Sequence, residues 1–322
     1  MLVGVISNDD VTAAATRITG RVRPVAVAEA GPGLFLALEH LQHTGTFKAR
    51  GALNFTTATF GTDGVSSPPG AAPGTPPGAA AGVALASGGN AGLACAWAAS
   101  AAGVRATVFV PTTAPAVKVR RLRELGADVR TAGSEYAEAA AAARAFCEET
   151  GAVASHAYDH PLISAGAGTL VAEILAARPE VTTVVVAVGG GGLFAGVSAA
   201  AAAHGVRVVG VEPEGSRALG AALAAGEPVD VPVASVAADS LGARRVAAEA
   251  LRWAGRDHTR AVTVSDGAVV AARRRLWEEH RLVVEHGAAA ALAALDAGAY
   301  RPQPEERVCV VLCGANTDPG DL

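Results

Sequence analysis

One lysine stands in HTGTFKARG, residues 43–51, behind a Thr-Gly-Thr turn and the aromatic Phe47. Most lysines sit on surfaces, and a charged helix start would account for this one. Its place after a buried-type aromatic and a tight turn suggests another use. An amine kept from water loses its proton more easily and becomes a nucleophile and a base. Lys48 is therefore a candidate cofactor-bearing residue, and the rest of the chain must supply that cofactor's other contacts.

Three further stretches carry suitable residue types. The run Gly189, Gly190, Gly191, Gly192, followed by Leu193, comes after an apolar strand and opens a helix. Backbone N–H groups there, free of Cβ bulk, can surround a phosphate at a helix N-terminus. Two other readings stay open. Gly190, Gly192 and Ala195 fit G-x-G-x-x-G/A, with Glu212 ending the next strand as a dinucleotide site expects, and a tight turn needs no ligand at all. In SGGNAG, 87–92, Ser87 and the amides of Gly88 and Gly89 can bind a carboxylate, and Asn90 can donate to a phenolic oxygen. An ordinary helix cap at Ser87 or Asn90 explains the same residues. Cys313 ends the strand VCVVLC before Gly314 and Asn316. It is a buried structural thiol or, at the carboxyl edge of a parallel sheet, a hydrogen-bond partner for a ligand nitrogen.

Other chemistries find less support. His156 and His160 flank Tyr158 and Asp159, as a metal pair or a polar loop would. G-x-S-x-G is absent, so no serine triad is assembled. Cys95, Cys147, Cys309 and Cys313 lack C-x-x-C spacing and read as reduced thiols, which suggests a cytoplasmic protein with no metal centre.

The elements that must position these residues alternate. Apolar, β-branched strands such as GVALAS, RATVFVP, TTVVVAV and ERVCVVLC are separated by alanine-rich helices, the pattern of a parallel α/β sheet. A capped helix is expected over 9–20 and a strand over LFLALEHL, 34–41. Residues 61–82 are too rich in Pro and Gly to pack and read as an exposed loop. At 322 residues, half of them hydrophobic, the chain suffices for about two domains and a sizeable core. A net charge of −4 without a basic stripe argues against nucleic acid, and no apolar run is long enough for a membrane span. The N-terminus lacks a signal-peptide pattern, so cytoplasmic residence is expected.

TGTFKARGA, SGGNAG, GGGGL and CGAN, in this order and spacing, resemble the fold-type II pyridoxal-phosphate enzymes, and most of all the threonine/serine dehydratase (ammonia-lyase) group. LEHLQHTG, AGAGTLVAEI, VGVEPEGS, ADSLGARR and VEHGAAAALAAL extend the resemblance over nearly the whole chain. It favours a phosphate site over the dinucleotide reading. It implies a two-lobed, tryptophan synthase β-like α/β fold with parallel-sheet lobes and pyridoxal 5'-phosphate in the cleft between them. Residues 1–54 and 155–322 would form the large lobe, with 55–154 inserted as the small one.

The resemblance also implies roles. Lys48 would hold the cofactor as a Schiff base and act as the catalytic base, with Phe47 along the ring face. Gly189, Gly190, Gly191, Gly192 and Leu193 would hold the phosphate, Asn90 the ring's 3'-oxygen and Cys313 the pyridine nitrogen. Ser87, Gly88 and Gly89 would bind the substrate carboxylate. The implied activity is elimination of water from L-threonine or L-serine by a homodimer acting on small amino acids, with no regulatory domain after CGAN. There are departures. Gly88 stands where racemases carry a second acid/base serine. Ala218 stands where metal-binding relatives have an acid six residues after Glu212. Ala167 replaces a glutamine and His286 a proline.

Overall fold

A computed structural model describes residues 5–61 and 81–321. Apart from Gly61, Ala81 and Gly82, the proline- and glycine-rich stretch lies outside the described residues. The first helix, Asn8–Ile18, starts where Ser7 and Asp10 cap each other's backbone, and it buries Val11, Ala14 and Ile18.

Among the described residues, ten strands form two sheets. The larger contains β1 (Val27–Gly31), β2 (Leu34–Ala37), β7 (Thr183–Ala187), β8 (Arg207–Pro213), β9 (Thr259–Val264) and β10 (Val308–Val311), in the order β1-β2-β10-β7-β8-β9. All its pairings are parallel except the β1–β2 hairpin at the edge. The smaller contains β3 (Val83–Ala86), β4 (Ala106–Val110), β5 (Asp128–Thr131) and β6 (Val153–Ala154), all parallel, in the order β5-β4-β3-β6. Each sheet has its own apolar core. The inner strands β3, β4, β7 and β10 are buried along their whole length, because helices cover a parallel sheet on both faces. The parallel α/β class read from the sequence is the observed one. The expected strand 34–41 is shorter. Leu38 leaves extended geometry, Glu39–Leu41 form a 3-10 turn, and the His40 amide donates to the Leu312 carbonyl.

Small residues allow three helices to meet almost backbone to backbone. Helix Lys48–Phe60 packs on Pro161–Gly168, and that helix packs on Gly192–Ala202. A Cβ on Gly51 would lie 2.5 Å from the Ile163 carbonyl oxygen, and one on Gly196 would lie 1.9 Å from that of Ser164.

The lysine helix is also anchored by charge. Arg50, fully buried, donates from Nε and Nη2 to the two oxygens of Glu39, both at 2.8 Å. It reaches Glu173 from Nη1 at 2.7 Å and from Nη2 at 2.8 Å. Thr169 and the Arg23 carbonyl take its remaining bonds. Removing one partner from such a network strands the others in low dielectric. Arg50→Ala is expected to lower stability by about 3–5 kcal/mol, and Arg50→Lys by less. Denaturant midpoints test this, and an alanine variant as stable as the parent would show that the network carries little.

Candidate active site

β2 and β10 run parallel in the register Leu34↔Val308 to Ala37↔Val311, so the segments that follow them leave the same edge of the sheet. There the lysine turn joins the end of β10. The Phe47 amide donates to the Cys313 carbonyl at 3.0 Å, the Ala315 amide donates to Gly45, and Thr46 forms a bridge with Gly314. Lys48 and Cys313, far apart in the chain, thus become neighbours. β7 flanks β10 on its other side and delivers Gly189–Gly192 to the same edge.

One cleft is lined by Phe47, Lys48, Asn90, Gly189, Gly190, Gly191, Gly192, Leu193 and Cys313, together with Tyr158, Ala187, Ser240, Leu241 and Glu285. Nine residues named from the sequence therefore converge. Ser87, Gly88 and Gly89 do not line it. They form the turn ahead of helix Asn90–Ala101, with the Gly89 amide donating to Ser87 Oγ at 3.3 Å. The helix is capped by Gly89 without a side-chain bond, so neither Ser87 nor Asn90 is the cap. Nδ1 of His156 accepts from the amides of Tyr158 and Asp159, and Nδ1 of His160 accepts from Leu162. The two histidines organise a polar loop.

The electrostatics follow from burial. Lys48 is half-buried, and its Nζ donates to the Ala157 carbonyl at 3.4 Å and lies 4.7 Å from the Phe47 ring centre. Burial lowers its pKa, against the pull of Cys313 and Glu285, and so favours a neutral amine. Burial pushes the Cys313 thiol well above its ordinary value, and the Glu285 carboxylate adds to this, so the thiol keeps its proton. Glu285 is itself raised by burial, although Asn90 and Lys48 favour its charge.

The glycine run has the shape of an anion cradle. Gly191 is left-handed, with φ 91°. A Cβ on Gly190 would meet the Tyr158 ring at 2.2 Å, and one on Gly191 would meet Ala250 at 2.4 Å. Among the described residues, the amides of Gly189, Gly190 and Gly191 have no protein acceptor.

Comparison with known proteins agrees with this geometry. Residues 21–314 match the family model described as pyridoxal-phosphate dependent enzyme. The chain belongs to that family. It is 35% identical over 315 residues to mouse serine dehydratase-like, covering 93% of this chain and 90% of the relative. It is 36% identical to an L-threonine ammonia-lyase of Geobacter sulfurreducens, covering 89% and 68%. The structure of maize serine racemase superposes with a TM-score of 0.87 at 28% identity, covering 99% and 96%.

Pyridoxal phosphate is accordingly the cofactor of this pyridoxal-phosphate enzyme. The residues fit it: a half-buried amine beside an aromatic ring, open amides at a helix start, and a protonated thiol across the cleft. Sequence reasoning passed over Tyr158, Ser240, Leu241 and Glu285 as site residues. ADSL and VEHGA enter the sequence reading through the resemblance, and Tyr158 as part of a polar loop. Ala167 is buried beside Lys48, and His286 begins helix His286–Asp296, directly after the lining residue Glu285.

Glu212 is not placed for a ribose. It is buried, and its two oxygens accept from the amides of Leu219 at 2.7 Å and Gly220 at 2.8 Å, at the start of helix Ala218–Ala225. Burial pushes its pKa up from 4.5 to about 7, against those two bonds. A carboxyl raised on folding contributes stability that is present in full below about 4.5 and lost as pH rises through about 7. Glu212→Gln should therefore lose stability relative to the parent at pH 4.5 and recover that loss toward neutral pH. Thermal melts across the range check it, and a pH-independent difference would place the titration elsewhere.

Proposed function

We propose that this enzyme eliminates water from L-threonine, L-serine or both, giving a 2-oxo acid and ammonia. The observation that carries the reading is the pairing, in one cleft, of a half-buried Lys48 amine, its pKa lowered, with a buried Cys313 thiol that stays protonated. Pyridoxal phosphate supplies an acceptor for the electron pair left when Cα loses its proton. Lys48 anchors the cofactor and, once the substrate amine has taken its place there, removes that proton. The amides of Gly189–Gly192 and Leu193 hold the phosphate, and Phe47 lies along the ring. Ser87 with the amides of Gly88 and Gly89 holds the substrate carboxylate. This asks the Ser87 turn to move against the cleft, since in the present arrangement it stands outside the lining. Asn90 donates to the 3'-oxygen.

Cys313 offers the pyridine nitrogen a neutral hydrogen bond instead of a full proton. The negative charge would then stay near Cα, which favours prompt loss of the β-hydroxyl over transamination, and that hydroxyl would leave as water with a proton supplied by the cofactor phosphate. The released enamine hydrolyses in water. Gly88 brings no proton donor to the face opposite Lys48, so a proton returned from Lys48 restores the original enantiomer. Serine consumption should therefore proceed without accumulation of the D-form.

A panel of β-hydroxy amino acids, read as ammonia and 2-oxo acid with chiral chromatography of residual serine, tests this reading. Lys48→Ala should reduce turnover more than about a thousandfold while the far-ultraviolet circular dichroism is kept. Accumulating D-serine, or a tenth of parental activity in Lys48→Ala, contradicts it. Cys313→Ser should stay within about tenfold of the parent, because a hydroxyl makes the same neutral hydrogen bond. Cys313→Asp should raise transamination, seen as loss of activity restored by added cofactor.

A further inference from the structure

Glu285 has no task in the reaction as drawn, yet it is buried in the cleft lining. Its carboxylate accepts from Asn90 Nδ2 at 2.9 Å and 3.0 Å. At the other end of the Asn90 carboxamide, Oδ1 accepts from Asn316 Nδ2 at 2.7 Å, and that same nitrogen donates to the Thr44 carbonyl at 2.8 Å. A single chain of bonds thus runs from Thr44 through Asn316 and Asn90 to Glu285.

The direction of this chain follows from chemistry. Oxygen and nitrogen of an asparagine carboxamide have nearly the same shape, so only their partners decide which way the group faces. A backbone carbonyl can only accept. The Asn316 atom beside Thr44 must therefore be its nitrogen, the Asn90 atom beside Asn316 must be its oxygen, and the Asn90 nitrogen is left facing Glu285. Glu285 lines the cleft and Asn316 does not, so the nitrogen end of Asn90 is the cleft end. Two local features hold the ends of the chain. Thr44 and Gly45 are both left-handed, at φ 62° and 72°, which aims the Thr44 carbonyl. A Cβ on Gly314 would lie 2.3 Å from a Glu285 oxygen, so glycine there makes room for the carboxylate.

We propose that Glu285 and Asn316 are positioning residues that lock the Asn90 carboxamide with its nitrogen toward the cofactor, so that Asn90 acts only as a donor to the ring oxygen. The proposal rests on the reading that Asn90 meets the 3'-oxygen. Two N–H bonds serve two acceptors, one the Glu285 carboxylate and the other the cofactor oxygen. Were the carboxamide reversed, its oxygen would face both of these acceptors and repel them.

The test titrates pyridoxal phosphate into the cofactor-free enzyme, reading the dissociation constant and the visible band of the bound cofactor as a function of pH. Asn90→Ala should weaken binding about tenfold, the worth of one charge-assisted hydrogen bond, and shift the band. Asn316→Asp has the same shape but no donor for Thr44 or for Asn90 Oδ1. It should produce both effects although Asn90 is intact. Glu285→Ala should do the same, whereas Glu285→Gln, which keeps an acceptor oxygen for Asn90, should stay within about twofold of the parent. If Asn90→Ala shifts both readouts and Asn316→Asp leaves them within twofold, the relay is wrong and the Asn90 contact stands. If Asn90→Ala itself changes neither, the Asn90 contact is wrong and the relay goes with it. Should Glu285→Ala fail to fold, Asn316→Asp at its partly exposed position decides the matter.

Discussion

The site depends on one junction, where the chain leaving β2 is fastened to the chain leaving β10. Parallel pairing sends both segments out at the same edge, and the Phe47–Cys313 bond with the Thr46–Gly314 bridge fixes their separation. The amine is thereby set against the thiol, and β7, next in the sheet, sets the glycine run against both. In a parallel sheet the carboxyl ends of adjacent strands collect loops from distant parts of the chain. Asn90 arrives separately, on the helix that follows β3 of the smaller sheet.

A cleft of this kind asks its surroundings to be stiff, because a displaced base loses much of its effect. Stiffness comes here from close approach and from buried charge. Gly51, Gly166, Gly168 and Gly196 let three helices touch at distances where any side chain would collide with backbone. Arg50 ties the lysine helix to Glu39 on one side and to Glu173 on the other. These three residues lie in KARG, LEHL and VAEI, the lysine stretch and two stretches that extend the resemblance. Their conformity to the pattern has a structural cause: Arg50 and Glu39 could not stay buried without each other, and the half-buried Glu173 takes the remaining side of the guanidinium.

Burial tunes the same groups chemically. Excluding water lowers the Lys48 pKa and raises that of Cys313, so both move toward their neutral forms. Glu285 and Glu212 are raised for the same reason and serve different ends, one beside the cofactor cleft and the other at a helix start away from it.

The sequence by itself determined what depends on local chemistry. β-Branched runs between alanine-rich helices made a parallel α/β fold legible, since side chains buried on both faces must be apolar throughout. Residue type singled out Lys48, the glycine run and Cys313, because few residues can do such work. It could not separate a phosphate cradle from a dinucleotide turn at GGGG, since both need small residues before a helix. Position relative to the other elements bears on that, and Glu212, turned to the start of the helix that follows its strand, is not placed to meet a ribose. The strand drawn over 34–41 ended early because a long-range bond from His40 to Leu312 prevailed over apolar continuity. The bonding of Glu285 and Asn316 to Asn90 was invisible for a related reason. A glutamate before a helix and an asparagine in a turn look ordinary along the chain. Only the folding together of Thr44, Asn90, Glu285 and Asn316 gives their hydrogen bonds a direction.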